Sequence, residues 1–273
     1  MNKNESMNFS FFRYTRSKSG SGRVRGKQIA NYIGAKLNPD SGYENDICIY
    51  VKRKPPENFP KTTYLDVVDS MFLMRWVKDH PEVGVIGITK LSQEFMSKEL
   101  NRKDICMIPQ HHCNFEQNKR KPREVKVVGY IGGSKQLQYN HEKLKDELAE
   151  IGLDFKYKTG FYKRSHVTSF LESIDINIAF RYRKQRRYLK DALKLVNAGS
   201  FGIPSVAFPE KGYEAEFKDC YIKANSGEEL IAGCKRLAED KELYNDLSEK
   251  ALAKSESYHI DKIIPLYKNL KVN

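Results

Sequence analysis

The chain has 273 residues, 40% hydrophobic and 30% charged, and a formal net charge of +13. That is length enough for two ordinary domains, and no apolar run approaches the roughly 18–20 residues that span a bilayer. The excess of base calls for a polyanionic counterpart, whether nucleic acid, an anionic membrane or a phosphorylated donor; the plainer alternative is a solvated lysine-rich surface.

In chain order, residues 8–14 read as a strand, followed by a Ser-Gly-Ser-Gly turn at 19–22. A helix is predicted over 24–37, with Ile29, Ala30, Ile33 and Leu37 on one face. Strand-like runs follow at 47–51, 64–68, 84–88 and 105–108, with helical stretches at 70–77 and 92–100. Strands alternating with helices indicate a parallel sheet. Residues 118–124 are charged, contain Pro122 and lack any apolar side chain, the composition of a linker.

A second half then restarts with Val125–Ile131 and a Gly132-Gly133 turn. A helix is predicted over 140–151 with His141, Leu144, Leu148 and Ile151 aligned, then strands at 154–157 and 176–180. The stretch Lys194–Phe208 reads as the end of a helix, a tight turn at Gly202 and a buried strand opening at Pro204. A polar loop is expected at 210–216, helices at 228–238 and 242–255, and a last helix at 259–270. The expected architecture is α/β: two Rossmann-like domains with parallel sheets, residues 1–118 and 119–258, and a C-terminal segment 259–273.

Asn197-Ala198-Gly199-Ser200-Phe201-Gly202-Ile203-Pro204 resembles the donor-sugar signature Glu-Ala-x-x-x-Gly-x-Pro of glycosyltransferases with the GT-B fold, the retaining, family-4-like group. The departure is Asn197, where many members carry a Glu that holds the donor ribose. The Lys194-x-x-Asn197-Ala198 form is similar to that of envelope and phage enzymes. The resemblance implies an active site in an interdomain cleft, with the C-terminal helix crossing back to the first domain. It also implies a nucleotide-sugar donor, taken as UDP-linked, with retention of configuration and no essential metal. An amide can still bond a ribose hydroxyl.

The candidate site residues follow from that frame. Gly20, Ser21, Gly22 and Arg23 sit where glycines after a first strand let backbone approach an anion, and Arg25 beside them is an acceptor candidate; a flexible basic surface loop is the plainer reading. Gly132 and Gly133 resemble the donor-domain loop that meets the diphosphate. Arg181 opens a run with five cations in seven residues. The resemblance pairs Arg181 with Lys190 or Lys194 to stabilise the departing diphosphate, where negative charge grows as the glycosidic bond breaks. Arg186 and Arg187 face either solvent or a polyanionic acceptor. Asn197, Ala198 and Glu214 complete the donor set; for Glu214 and Glu216 the alternative is a salt bridge to Lys211 or Lys218.

On the first half, Asp66 and Asp69 stand three residues apart. They are open to acid–base work, to capping a helix at Ser70, or to pairing with Lys52 and Arg53. Lys52, Arg53 and His112 are acceptor candidates, and His111 a catalytic one, on loops that follow strands. The five cysteines have neither redox nor metal spacing, and Cys106 and Cys113 with His111 and His112 do not match usual zinc sites, so reduced thiols and no metal are expected. The N-terminus has no apolar signal region, which points to the cytoplasm.

The function expected is sugar transfer to a hydroxyl on a polyanionic partner. Hydroxymethylated bases of phage DNA and a lipid-linked or surface glycan are the two acceptors in view. Rivals are a non-catalytic nucleic-acid-binding protein on a degenerate transferase fold, and an epimerase or phosphorylase on the same fold.

Overall fold

The computed structural model describes residues 8–14, 20–134, 136–160, 163–181 and 190–271. These fall into two compact units. One comprises the described residues of Met1–His111, Tyr188–Asp191 and Ile260–Asn273; the other those of His112–Arg187 and Ala192–His259.

The first unit is built on strands β1 (Phe9–Phe12), β2 (Lys36–Leu37), β3 (Ile47–Val51), β4 (Thr63–Asp66), β5 (Gly84–Gly87) and β6 (Cys106–Met107). All pair in parallel, in the order β2-β1-β3-β4-β5-β6. Strands β1, β3, β4 and β5 are buried along their whole length, as expected of a parallel sheet covered on both faces. Helices α1 (Ile29–Ile33), α2 (Met71–Lys78) and α3 (Lys90–Leu100) connect them. α3 opens with a reciprocal cap, in which Thr89 Oγ1 accepts from the Ser92 amide and Ser92 Oγ from the Thr89 amide. The core gathers Cys48, Leu65, Val67, Met74, Val85 and Met96.

Two features of this unit differ from the sequence expectation. The stretch after β1 is already helical at Gly20 and continues as a π-helix, Gly22–Gln28, rather than an open glycine turn. Gly22 and Gly26 there pack against the Arg13 side chain, where an added Cβ would stand 3.6 and 3.4 Å from it. The helix predicted to run to Leu37 stops at Gly34, whose φ of +68° turns the chain left-handed; Lys36–Leu37 then adds an edge strand to β1.

The second unit carries β7 (Val127–Ile131), β8 (Asp154–Lys158), β9 (Ile176–Ala179), β10 (Ser205–Ala207) and β11 (Ile222–Lys223), all parallel, in the order β11-β10-β9-β7-β8. Its helices are α4 (His141–Glu150), α5 (Arg164–Glu172), α6 (Leu193–Gly199), α7 (Lys211–Phe217), α8 (Gly227–Glu239) and α9 (Lys241–Glu256). The last helix, α10 (Ile260–Lys268), belongs to the first unit, where the Tyr267 ring meets Phe11 edge-on. Gly202, at φ +70°, makes the turn between α6 and β10 as its position in the motif demands.

The stretch 210–216, expected as a polar loop, is largely helical: Lys211–Phe217 forms α7, because Tyr213 and Phe217 stand four apart and are both buried. The charged segment 118–124 is not free. Arg120 and Arg123 both donate to Asp175 Oδ1, whose partner oxygen accepts from the amides of Lys126 and Val127. The five cysteines are free thiols, with Cys48, Cys113 and Cys234 buried, and burial pushes Cys113 and Cys234 up to about 12.

Candidate functional site

In an open parallel sheet, ligands gather outside the carboxyl ends of the strands. In the second unit these ends present Gly132 and Gly133 after β7, Arg181 just past β9 and Glu210 just past β10. Because β9 and β10 are neighbours in register, Ala179 opposite Ala207, the Arg181 guanidinium lands on the Glu210 carboxylate. Nε donates to Oε1 at 2.9 Å and Nη2 to both oxygens at 2.6 Å. Burial works against the Arg181 charge, but the Glu210 contact more than restores it. Nε and Nη2 donate to Glu210, and Nη1 has no hydrogen bond among the described residues.

Lys194, on the first turn of α6, donates from Nζ to the Tyr130 hydroxyl at 3.2 Å and lies 4.3 Å from the Tyr130 ring centroid. The same hydroxyl donates to the Gly133 carbonyl at 2.9 Å. Burial pushes the Tyr130 phenol up to about 12, with Arg181 pulling the other way, so it stays protonated at neutral pH. A Cβ on Gly132 would stand 2.4 Å from the Tyr130 oxygen and 2.7 Å from Lys194 Nζ. Gly132 is therefore what admits these two groups beside the loop. Arg181, Lys194, Tyr130, Gly132 and Gly133 make one polar, cationic cluster at this sheet edge.

The remaining donor candidates are placed differently. Asn197 Oδ1 accepts from the Cys113 amide at 2.8 Å, tying α6 to the segment entering this unit. Ala198 is fully buried among Cys113, Ile131, Leu171 and Phe201 and packs the core. Glu214, on α7, accepts from the Tyr221 hydroxyl and from Lys223 Nζ at 2.6 Å. Its carboxyl is lowered: partial burial raises it, and Lys223 and Tyr221 outweigh that. Its ion-pair partner is Lys223, with Lys218 adding to the pull on its charge, while Glu216 accepts from the Ala192 amide at the start of α6.

In the first unit, Asp66 ends β4 and is fully buried, with Arg25 Nε donating to it at 2.5 Å. The π-helix brings Arg25 inward, so this side chain is an internal partner of Asp66, not the exposed acceptor contact expected of it. Burial pushes the Asp66 carboxyl up against the pull of Arg25. Both Nη groups of Arg25, Asp66 Oδ1 and the Tyr267 hydroxyl lack a hydrogen-bond partner among the described residues.

Three residues on, Asp69 accepts from Lys52 Nζ at 2.5 Å and from Lys190. Its carboxyl falls to about 2: burial raises it, and Lys190 and Lys52 overcome that. Val68, between the two carboxylates, holds φ at +54°, an unusual strain for a β-branched residue. Lys190 accordingly serves Asp69, and Lys194 is the lysine grouped with Arg181.

His111 is buried and its Nε2 donates to the Val24 carbonyl at 3.1 Å. His112 is buried in the second unit, its Nδ1 accepting from the Asn114 amide and its ring 5.3 Å from that of His259. Both histidines, expected on a loop that follows a strand, are buried there and hydrogen-bonded to backbone. Of the N-terminal candidates, Gly20 borders open space, Gly22 packs on Arg13, and Ser21 and Arg23 are half-buried. Arg53 lies over the Tyr14 ring at 5.9 Å. Arg186 and Arg187 lie outside the described residues.

Sequence reading missed Glu210 and the hydroxyl of Tyr130. Glu210 had one signal, a carboxylate just past a strand, but its partner depends on which strand lies next to β10. No group of three or more His, Cys, Asp or Glu able to hold a metal occurs among the described residues.

No protein-family model matches the chain, and no curated protein matches it in sequence. Solved structures match its fold. HepE of Anabaena, solved with UDP and glucose, is 12% identical with a TM-score of 0.67, over 96% of this chain and 98% of that one. A glycosyltransferase from Rickettsia africae ESF-5 is 10% identical with a TM-score of 0.59, over 97% of each. TarM of S. aureus, solved with fondaparinux, alpha-GlcNAc-glycerol and UDP, is 15% identical with a TM-score of 0.57, over 85% of this chain; this chain spans 52% of TarM. The fold is therefore GT-B-type: two parallel-sheet α/β units, as the motif around Asn197 implied.

Proposed function

We propose that this chain is a glycosyltransferase that takes a sugar from a nucleoside-diphosphate donor, held by the second unit, and passes it to a hydroxyl on a polyanionic partner. The observation that carries the reading is the cluster of Arg181, Lys194 and Tyr130 beside Gly132-Gly133, at the sheet edge where α/β folds bind ligands. The shared fold with UDP-bound HepE supports a UDP-linked donor.

The chemistry follows from charge. As the bond from the sugar to the β-phosphate breaks, negative charge grows on the phosphate oxygens. Arg181 Nη1 and Lys194 Nζ are cations already fixed by Glu210 and Tyr130, so stabilising that charge requires little reorganisation. Two cations in a largely buried setting do the work a divalent metal does elsewhere, and the reaction is metal-independent. Retention comes from front-face attack, the acceptor proton passing to the leaving diphosphate, with no protein nucleophile. The acceptor hydroxyl belongs to a hydroxymethylated DNA base or to a lipid-linked glycan.

A second reading, a nucleotide-binding protein without transfer activity, is favoured by one observation: Asn197 and Glu214 are both engaged with the protein itself.

The test is a mass-spectrometric transfer assay. The protein is incubated with nucleotide sugars and either hydroxymethylcytosine DNA or lipid-linked glycans, while released nucleoside diphosphate is followed. A sugar-sized mass gain on one acceptor is expected, falling by about 10²–10³-fold in Arg181→Ala. Donor binding with no transfer to either acceptor class supports the second reading.

A further inference from the structure

Residues 13–14, 52–61 and 67–72 follow the carboxyl ends of β1, β3 and β4, which lie side by side in the first sheet. They carry large side chains that the fold leaves in solvent: Tyr14 at 55% exposure after β1, and Met71 at 43% and Phe72 at 64% after β4. Single exposed apolar residues are ordinary, but three at one sheet edge are a patch. The β3 loop between them supplies cations. Arg53 stands 5.9 Å from the Tyr14 ring centroid and Lys54 Nζ 4.8 Å from that of Phe72. Residues 52–61 hold four cations and one acid, Glu57. On α2, Arg75 is exposed three residues beyond Phe72 and four beyond Met71, on the same face, and Lys78 follows one turn later.

From this arrangement we propose that the patch docks on the surface of an anionic lipid bilayer. Apolar side chains ringed by Lys and Arg are the composition of an interfacial anchor. The apolar groups enter the boundary between headgroups and acyl chains, and the cations meet lipid phosphate. Lys54 Nζ lies within cation–π reach of the Phe72 ring, so a cation accompanies the most exposed apolar side chain of the patch. Single-stranded nucleic acid fits less well. Met71 offers no flat face for a base, and one face of Phe72 already carries Lys54. No helix among the described residues is long and apolar enough to cross a membrane, so attachment here is peripheral. Bilayer docking would also choose between the acceptors considered above, in favour of the lipid-linked one. It is read out independently of sugar transfer, so either proposal can fail alone.

The experiment is co-sedimentation of the full chain with phosphatidylcholine vesicles, either pure or with about a third phosphatidylglycerol. The chain should pellet with the anionic vesicles and stay in solution with the neutral ones. The double variant Met71→Ser/Phe72→Ser and the single variant Lys54→Glu should each lower partitioning by about tenfold, with far-UV circular dichroism and thermal midpoint unchanged. Lys54→Glu alters only an exposed side chain and decides the matter if the double variant fails to fold. Absence of binding to anionic vesicles, or binding unaffected by Lys54→Glu, overturns the proposal. So does a chain that ignores vesicles yet loses oligonucleotide binding in these variants.

Discussion

Asp69 illustrates how one residue couples charge to stability. Its carboxyl titrates at about 2 in the fold, against roughly 3.9 for an unperturbed Asp. A lowered value means the folded state holds the charged form more tightly. The contribution is fully present above pH ~4 and is lost as pH falls toward ~2, with a magnitude of about 2 kcal/mol. Asp69→Asn should therefore lower the thermal midpoint at pH 6, and the gap to the parent protein should close between about pH 4 and pH 2. A gap independent of pH in that window would mean that Asp69 acts by packing alone. At this scale the sequence was only half legible. That Asp69 faces Lys52 was one of the readings open from composition, and it is the one the structure adopts. That Arg181 meets Glu210 was not readable, since it depends on which strand lies beside β10. The burial of Arg25 was hidden because a π-helix, unlike an ordinary turn, has no sequence signature in Gly22–Gln28.

Strand and helix order were largely legible because the apolar runs are dense, and in parallel sheets fully buried strands advertise themselves. What escaped was short or sparsely patterned. β2 is two residues long, and α5 buries only Leu171 among its nine residues, so neither presents a periodic stripe. α7 carried its signal in Tyr213 and Phe217, masked by three charged neighbours. The segment read as a linker shows why charge alone does not mark flexibility: Asp175, buried at the start of β9, takes both arginines and two amides. Its carboxyl is lowered, burial raising it and the Lys126, Arg123, Val127 and Arg120 contacts outweighing that. Asp175→Ala leaves the largely buried Arg120 without its carboxylate partner, at a cost of about 3–5 kcal/mol. Urea unfolding should show a lower midpoint at unchanged slope; a loss under about 1 kcal/mol would mean that water replaces the clamp.

At the scale of the whole molecule, two parallel α/β units with a GT-B fold present the same kind of sheet edge twice. In the second unit that edge gathers cations around Gly132-Gly133; in the first it gathers a fully buried acid, an ion-paired acid and an exposed basic, apolar patch. The motif Asn197–Pro204 led to the right fold although its first two residues serve the protein's own packing here. The net charge of +13, summed over the whole chain, agrees with the anionic donor and partner proposed above.

In the proposed donor site, Arg181 and Lys194 of the second unit bind the nucleoside diphosphate. Isothermal titration of UDP into the parent protein and into Lys194→Ala tests it most directly. Saturable binding without added metal is expected, weakened by about tenfold or more in the variant, a loss of roughly 1.4 kcal/mol. A parent protein that binds neither UDP nor any other nucleoside diphosphate, or a Lys194→Ala variant that binds as tightly as the parent, would contradict it.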